Sequence, residues 1–335
     1  MTAIMPPEWA PHDATWMAFP TAAYPGAGVS NDDAWRTWAA VANLIVDHEP
    51  LHMLVNPAQE KIAKKQLSDA VVTHVAGFND AWLRDTGPTF TVDGKTLCAV
   101  DWQFNGWGDH TAFDWSLDTQ LASVVSELTD ARLCQSALVN EGGGLHIDGA
   151  GTVLLTKTVQ LDPDRNADWS QETVEQEIHS HLGTQRAVWF DRGLHRDYED
   201  NGTRGHVDVF ACFNERGDVL LHHQQDTQHP DHPLFQAHCA SLADNNLTWR
   251  AIPAPRQVRD NIGWVDYSYL NHYVLNEAVI VPTFDDPNDG LAEELLSEYW
   301  PGRAIRCVDA RVIFAMGGGV HCITQQQPRI PCLLT

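Results

Sequence analysis

Two short stretches of the chain, Gly142-Gly143-Gly144-Leu145-His146-Ile147 and Gly317-Gly318-Gly319-Val320-His321-Cys322, repeat one pattern of three glycines, an aliphatic residue and a histidine. Internal repetition constrains a fold strongly, because it implies one supersecondary unit used several times. Further polar turns occur at residues 79–88, 205–208 and 265–271. Between comparable points the five turns are about sixty residues apart, the scale of one unit per repeat. Five such units closing on themselves bring five turns to one axis.

The residues between the turns alternate in period. Strand-like runs are predicted at 15–19, 51–55, 71–75, 97–101, 152–156, 187–190, 219–222, 278–282 and 312–316, and helix-like runs at 32–48, 58–69, 117–129, 170–182, 233–243 and 289–299. Ser170 has the chemistry to cap the fourth helix and Gly183 to end it. The fold class is therefore α/β. No Ser/Gly linker, charge block or composition break divides the chain, which predicts a single domain over 1–335.

Composition narrows the function classes. No stretch approaches eighteen apolar residues, and residues 1–13 lack a basic region followed by an apolar run, so a mature, non-secreted, non-membrane protein is expected. Seven cysteines, an odd number without CxxC spacing, point to reduced thiols in a cytoplasm. Cys332-Leu-Leu-Thr335 has the spacing of a prenylation box, but no polybasic run precedes it. A formal charge of −24 opposes nucleic-acid binding and suits either a cationic substrate or simple solubility.

If the turns converge, they gather Trp82, Asp85, Glu141, His206, Asp208 and Cys322. The second glycine triplet runs into Cys322 on a β-type segment, which predicts a thiol at the lip of a turn within reach of solvent or substrate. The plainer alternative is an ordinary buried cysteine. His206 titrates in the range needed to give a proton to a leaving group and then take one from water, and Glu141 has the chemistry to orient it. Asp85 and Asp208 make the pocket anionic, which suits a planar guanidinium, and Trp82 adds a stacking face. Taken singly, Asp85 reads equally as a salt-bridge partner of Arg84, and His206 as a core histidine. His222, His223, His229 and His232 read as a polar surface loop rather than a metal tract. No phosphate loop or dinucleotide fingerprint is present.

The segments NDAWLRDTGP (79–88), NEGGGLH (140–146), GHVDVFACF (205–213) and GGGVHCITQQQP (317–328) resemble the motif set of agmatine deiminase, in the bacterial peptidylarginine-deiminase-like branch of the guanidine-modifying superfamily. The likeness extends from Met5 to Pro328. It implies one domain of five ββαβ units about a pseudo-fivefold axis, a pentein, with no metal or organic cofactor. It makes Cys322 the nucleophile on the guanidinium carbon, His206 the general acid and base, Glu141 its support, and Asp85 and Asp208 the grip on the nitrogens. The implied partner is a small cationic guanidine, converted through an amidino-cysteine to a ureido product and ammonia. A homo-oligomer is compatible with the sequence.

One position departs from that resemblance. Family members fitted to agmatine often carry an acid four residues before the catalytic histidine, where this chain has Gly202. Arg204 is instead read as a substrate-binding residue for a carboxylate, or as a partner of Glu199 or Asp200. Glu199 or Asp200 is also a candidate for a distal amine. Deimination or dihydrolysis of arginine or a guanidino acid, amidino transfer, and guanidine binding without turnover stay open beside agmatine hydrolysis.

Overall fold

The computed structural model describes residues 3–24, 26–109, 114–199 and 201–330. Asp200 and Cys332, both considered above, lie outside these residues. The described strands form five sheets. One contains Thr89–Asp93, Thr96–Gln103 and Arg132–Val139; the next Leu145–Ile147, Thr152–Thr156 and Arg186–Phe190. A third contains Ala211–Phe213, Val219–His223 and Trp249–Pro253; a fourth Tyr273–Val274, Ala278–Thr283 and Ala304–Asp309. The fifth joins the two ends of the chain: Thr324–Pro328 lies antiparallel to His12–Ala18, with Thr15 opposite Gln326, and Leu51–Val55 and Val72–Val75 follow.

Every sheet repeats one topology. Its first two strands are antiparallel and the next pair parallel. A parallel pair needs a long crossover, and here it is a helix: Asn31–Ile45, Leu121–Thr129, Gln171–Leu182, His232–Asp244 or Asp289–Tyr299. Gln171–Leu182 shows the local logic. Ser170 closes a capping box with Thr173, Gly183 ends the helix at φ +69°, and Val174, Ile178 and Leu182 recur on its buried side. Each of those three side chains contributes roughly 1.5–3 kcal/mol by leaving water.

Two expectations require correction. Residues 312–316, predicted as strand, form the helix Arg311–Ala315, which packs on Asn31–Ile45 and buries Ile313 and Phe314. Tertiary packing here overrides the β-propensity of Val312 and Ile313. The β-type segment expected at Cys322 begins two residues later as strand Thr324–Pro328, which is absent from the predicted strand runs because Thr-Gln-Gln-Gln-Pro carries no apolar alternation. Its glutamines are instead tied internally: Gln325 Nε2 donates to Pro88 O at 2.6 Å, and Gln327 accepts from Trp16 Nε1 at 2.8 Å. Among the described residues no helix is long and apolar enough to cross a membrane.

What positions the site is the segment before each leading strand. These are the helical turns Leu83–Thr86, Gly142–Gly144 and Val207–Val209 and the turns at 268–271 and 320–323.

Candidate active site

The glycines set how closely those segments approach. A Cβ on Gly142 would stand 2.2 Å from Arg84 O. One on Gly143 would stand 2.5 Å from His206 Nδ1 and 3.0 Å from both Asp85 Oδ1 and Asp208 Oδ2. Three functional groups from two turns thus converge on a backbone position of a third that admits no side chain. In the second triplet Gly317 takes φ +104°, and a Cβ on Gly318 would meet the Trp82 ring at 2.6 Å.

His206 is buried and reaches two carboxylates. Its Nε2 lies 3.1 Å from Glu141 Oε2 and its Nδ1 3.8 Å from Asp85 Oδ1. Burial works against the charged ring, but Asp85, Glu141 and Asp208 raise its pKa to about 9. Glu141 is itself held by Arg165, whose Nε donates to Oε1 at 3.0 Å. Against the effect of burial, Arg165 and His206 bring Glu141 down to about 2. The loop entering His206 is tied down by Asp197, which accepts from Thr203 N at 2.5 Å, Gly205 N at 2.6 Å and His206 N at 3.1 Å. These bonds keep Arg204 at φ +69° and Gly205 at φ +120°.

Cys322 departs from expectation in one respect. It lies in the turn before strand Thr324–Pro328, not on a strand, and is 4% exposed rather than open at a lip. Its Sγ lies 3.6 Å from Asp208 Oδ2 and 3.3 Å from Asn271 Nδ2. Burial, then Asp208 and Asp85, push the thiol well above its ordinary range. Asp208 Oδ2 also meets His321 Nδ1 at 2.8 Å, and Asp208 Oδ1 has no hydrogen-bond partner among the described residues. Burial opposes the Asp208 charge, but His321 keeps its carboxyl below the usual range. Asp85 accepts from Gly143 N and Trp107 Nε1, each at 2.9 Å, and burial raises it to about 6. Arg84 does not pair with Asp85; it donates to Gln326 Oε1 at 2.8 Å and His321 O at 3.3 Å.

Trp82 is buried, donates to Tyr24 OH at 2.6 Å, and lines a cavity of about 20 Å³ with Asp85, Trp107, Thr203 and Cys322. That is room for about one water, so a guanidinium enters only as these side chains shift. The small cavity adjoins one of about 600 Å³ at Asn201 and Gly317. Arg204, expected at the substrate, lines neither. Its Nη1 meets both oxygens of Asp162 at 2.8 and 3.1 Å and Asp164 at 2.6 Å, and it is not paired with Glu199. Two acids on the turn around Pro163 outcompete the loop acid for its charge.

The turns thus bring Asp85, His206 and Asp208 together, with Glu141 on the histidine, Cys322 on Asp208 and Trp82 beside the second glycine triplet. Sequence reasoning missed Asn271, His321, Arg165, Trp107 and Glu8. Asn271 and His321 stand on recurring turns and were within reach; the other three lie on none. His222 is buried on strand Val219–His223 against Ser268 Oγ at 3.1 Å, not on a surface loop, and no three His, Cys, Asp or Glu among the described residues are grouped to hold a metal.

The profile of the Porphyromonas-type peptidyl-arginine deiminase family matches residues 4–328. The chain belongs to that family. Within the Porphyromonas-type peptidyl-arginine deiminase family, it is 47% identical to a Streptomyces coelicolor protein provisionally named an agmatine deiminase, over 98% of this chain and 100% of that one. The agmatine deiminase of Stutzerimonas stutzeri is 35% identical over 97% of this chain and 95% of its own length. Among solved structures, the agmatine deiminase of Enterococcus faecalis superposes with a TM-score of 0.91 at 28% identity, covering 98% of this chain and 97% of that chain. The α/β fold is therefore shared with agmatine deiminases over nearly its whole length.

Proposed function

We propose that this chain is a guanidine deiminase that hydrolyses agmatine to N-carbamoylputrescine and ammonia. One observation carries the reading: Cys322 Sγ stands 3.6 Å from Asp208 where His206 and Asp85 also converge on Gly143. A buried sulfur beside two carboxylates ionises poorly until a cation joins it. A guanidinium is such a cation, and its planar N–H groups suit Asp85 and the unpartnered Oδ1 of Asp208. The names of the relatives above support agmatine as its source.

In this reading the bound cation favours loss of the Cys322 proton to solvent, and the thiolate attacks the guanidinium carbon. His206, charged at neutral pH, gives its proton to the departing nitrogen; the C–N bond breaks and ammonia leaves. The neutral imidazole then takes a proton from water as that oxygen attacks the same carbon. Cleavage of the C–S bond returns the thiolate and leaves a ureido oxygen. Glu141 holds the imidazole, Trp82 covers the guanidinium plane, and Arg204 anchors the loop. The chain acts as one catalytic unit over 1–335, its five sheets arranged about the axis where the turns meet. A reducing cytoplasm suits the six free cysteines of the described residues.

Ammonia release from agmatine, arginine and guanidinobutyrate tests the proposal. Agmatine should be turned over fastest, and Cys322→Ala should release no ammonia while keeping the fold. Amine-dependent product with little ammonia would instead indicate amidino transfer, and tight agmatine binding without turnover a binding module.

A further inference from the structure

The larger cavity, about 600 Å³, meets the sulfur's cavity at Asn201 and Gly317 and is lined in part by Arg196, Glu199, Gly202 and Asp266. It is the space into which the remainder of a guanidine held at Cys322 extends. Position 202 contributes nothing to it beyond backbone, and no replacement fits: a Cβ there would stand 2.2 Å from Asp197 O. Recognition of a substrate's far end therefore falls to other residues.

The lining charges are unequal in their commitments. Arg196 donates to Trp264 O at 2.8 Å and lies 3.4 Å from Asp260, so its charge is already spent within the wall. Glu199 stands at the rim, 3.7 Å from Arg196 and 41% exposed. Asp266 is held differently: its carboxylate accepts from its own backbone N–H, and burial, then Asp197, push it up to about 7 against the pull of Arg196. A carboxylate still raised so far gains from an arriving cation, whereas an arriving carboxylate meets a wall whose acids outnumber its one committed arginine.

We infer that Asp266, with Glu199 at the rim, forms the subsite for a cationic tail, so that the substrate class is guanidinoalkylamines, including chains longer than that of agmatine. The inference rests on the deiminase reading above. The cavity volume lies in the range that houses drug-sized ligands, far more than an aminobutyl chain fills, which is why longer amines are included.

The test compares agmatine, 1-amino-8-guanidinooctane and butylguanidine, whose tail is uncharged, in the unmodified protein and in Asp266→Asn, Asp266→Glu and Glu199→Gln. The unmodified protein should prefer agmatine to butylguanidine and process the eight-carbon amine within about fivefold of agmatine. In Asp266→Asn the preference for agmatine over butylguanidine should fall about tenfold or more, through KM rather than kcat; Asp266→Glu should restore part of it. Glu199→Gln, at an exposed site where folding is not at risk, should lower the same ratio a few-fold. An unchanged ratio in Asp266→Asn and Glu199→Gln overturns the subsite while leaving the deiminase intact. Preference for a guanidino acid, lost in Arg196→Gln, overturns the cation assignment. No ammonia from any guanidine in the unmodified protein overturns both readings.

Discussion

His321 Nδ1 lies 2.8 Å from Asp208 Oδ2, the same oxygen that Cys322 Sγ approaches at 3.6 Å. The residue before the cysteine thus fixes the carboxylate that faces it. On its other side His321 Nε2 meets Glu8 Oε2 at 3.1 Å, so the imidazole bridges two acids. Burial and Arg84 oppose its charge, yet Glu8 and Asp208 raise it above the ordinary histidine range. A charged His321 keeps Asp208 ionised, and an ionised Asp208 serves to grip a cation and to suppress the thiolate without one.

Neutralising either gripping carboxylate should therefore weaken capture and raise the barrier together. Asp208→Asn and Asp85→Asn are each expected to lower kcat/KM for agmatine about a hundredfold, the scale of about 3 kcal/mol for stranding one member of a buried charged pair. Steady-state kinetics on both variants check this, and normal values in both would remove the paired grip.

The thiol titration has a definite sign. Burial raises the Cys322 pKa most, and Asp208 and Asp85 raise it further because their charges oppose a thiolate, so removing one charge must lower it. The 240 nm absorbance difference between the unmodified protein and Cys322→Ala should appear only above the ordinary thiol range. Measured in the Asp208→Asn background against Asp208→Asn/Cys322→Ala, it should move to lower pH; a shift upward would contradict the electrostatic assignment.

Gly143→Ala places a methyl where His206, Asp85 and Asp208 meet. Because displacements of about 1 Å cost about a hundredfold in rate, kcat of the folded variant should fall by that order, with some loss of thermal stability from the overpacking. Gly290→Ala is the control: on the exposed helix Asp289–Tyr299 a Cβ meets nothing within 4 Å, and kcat should hold. Equal kinetics in the two variants would show that the close approach at Gly143 is unimportant.

The repeat was legible because its signal is local. Glycines, histidines and acids recur on turns that immediately precede five leading strands, so Asp85, Glu141, His206, Asp208 and Cys322 were nameable from spacing and resemblance. The supports were not, since they arrive from elsewhere in the chain. Glu8 comes from the opposite end to reach His321, and Arg165 sits within a helical turn started by Pro163 to reach Glu141. Arg204 was misread because its partners Asp162 and Asp164 lie some forty residues earlier, a relation that no periodicity encodes. Strand Thr324–Pro328 was hidden for a related reason: it is buried through glutamine hydrogen bonds rather than apolar alternation.

The covalent step is the centre of the account, and acid quenching during agmatine turnover followed by peptide mass analysis tests it most directly. The peptide containing Cys322 should carry the mass of agmatine less ammonia, and the adduct should be absent from Cys322→Ala. Ammonia release persisting in Cys322→Ala, or the adduct mass on a different residue, would contradict it.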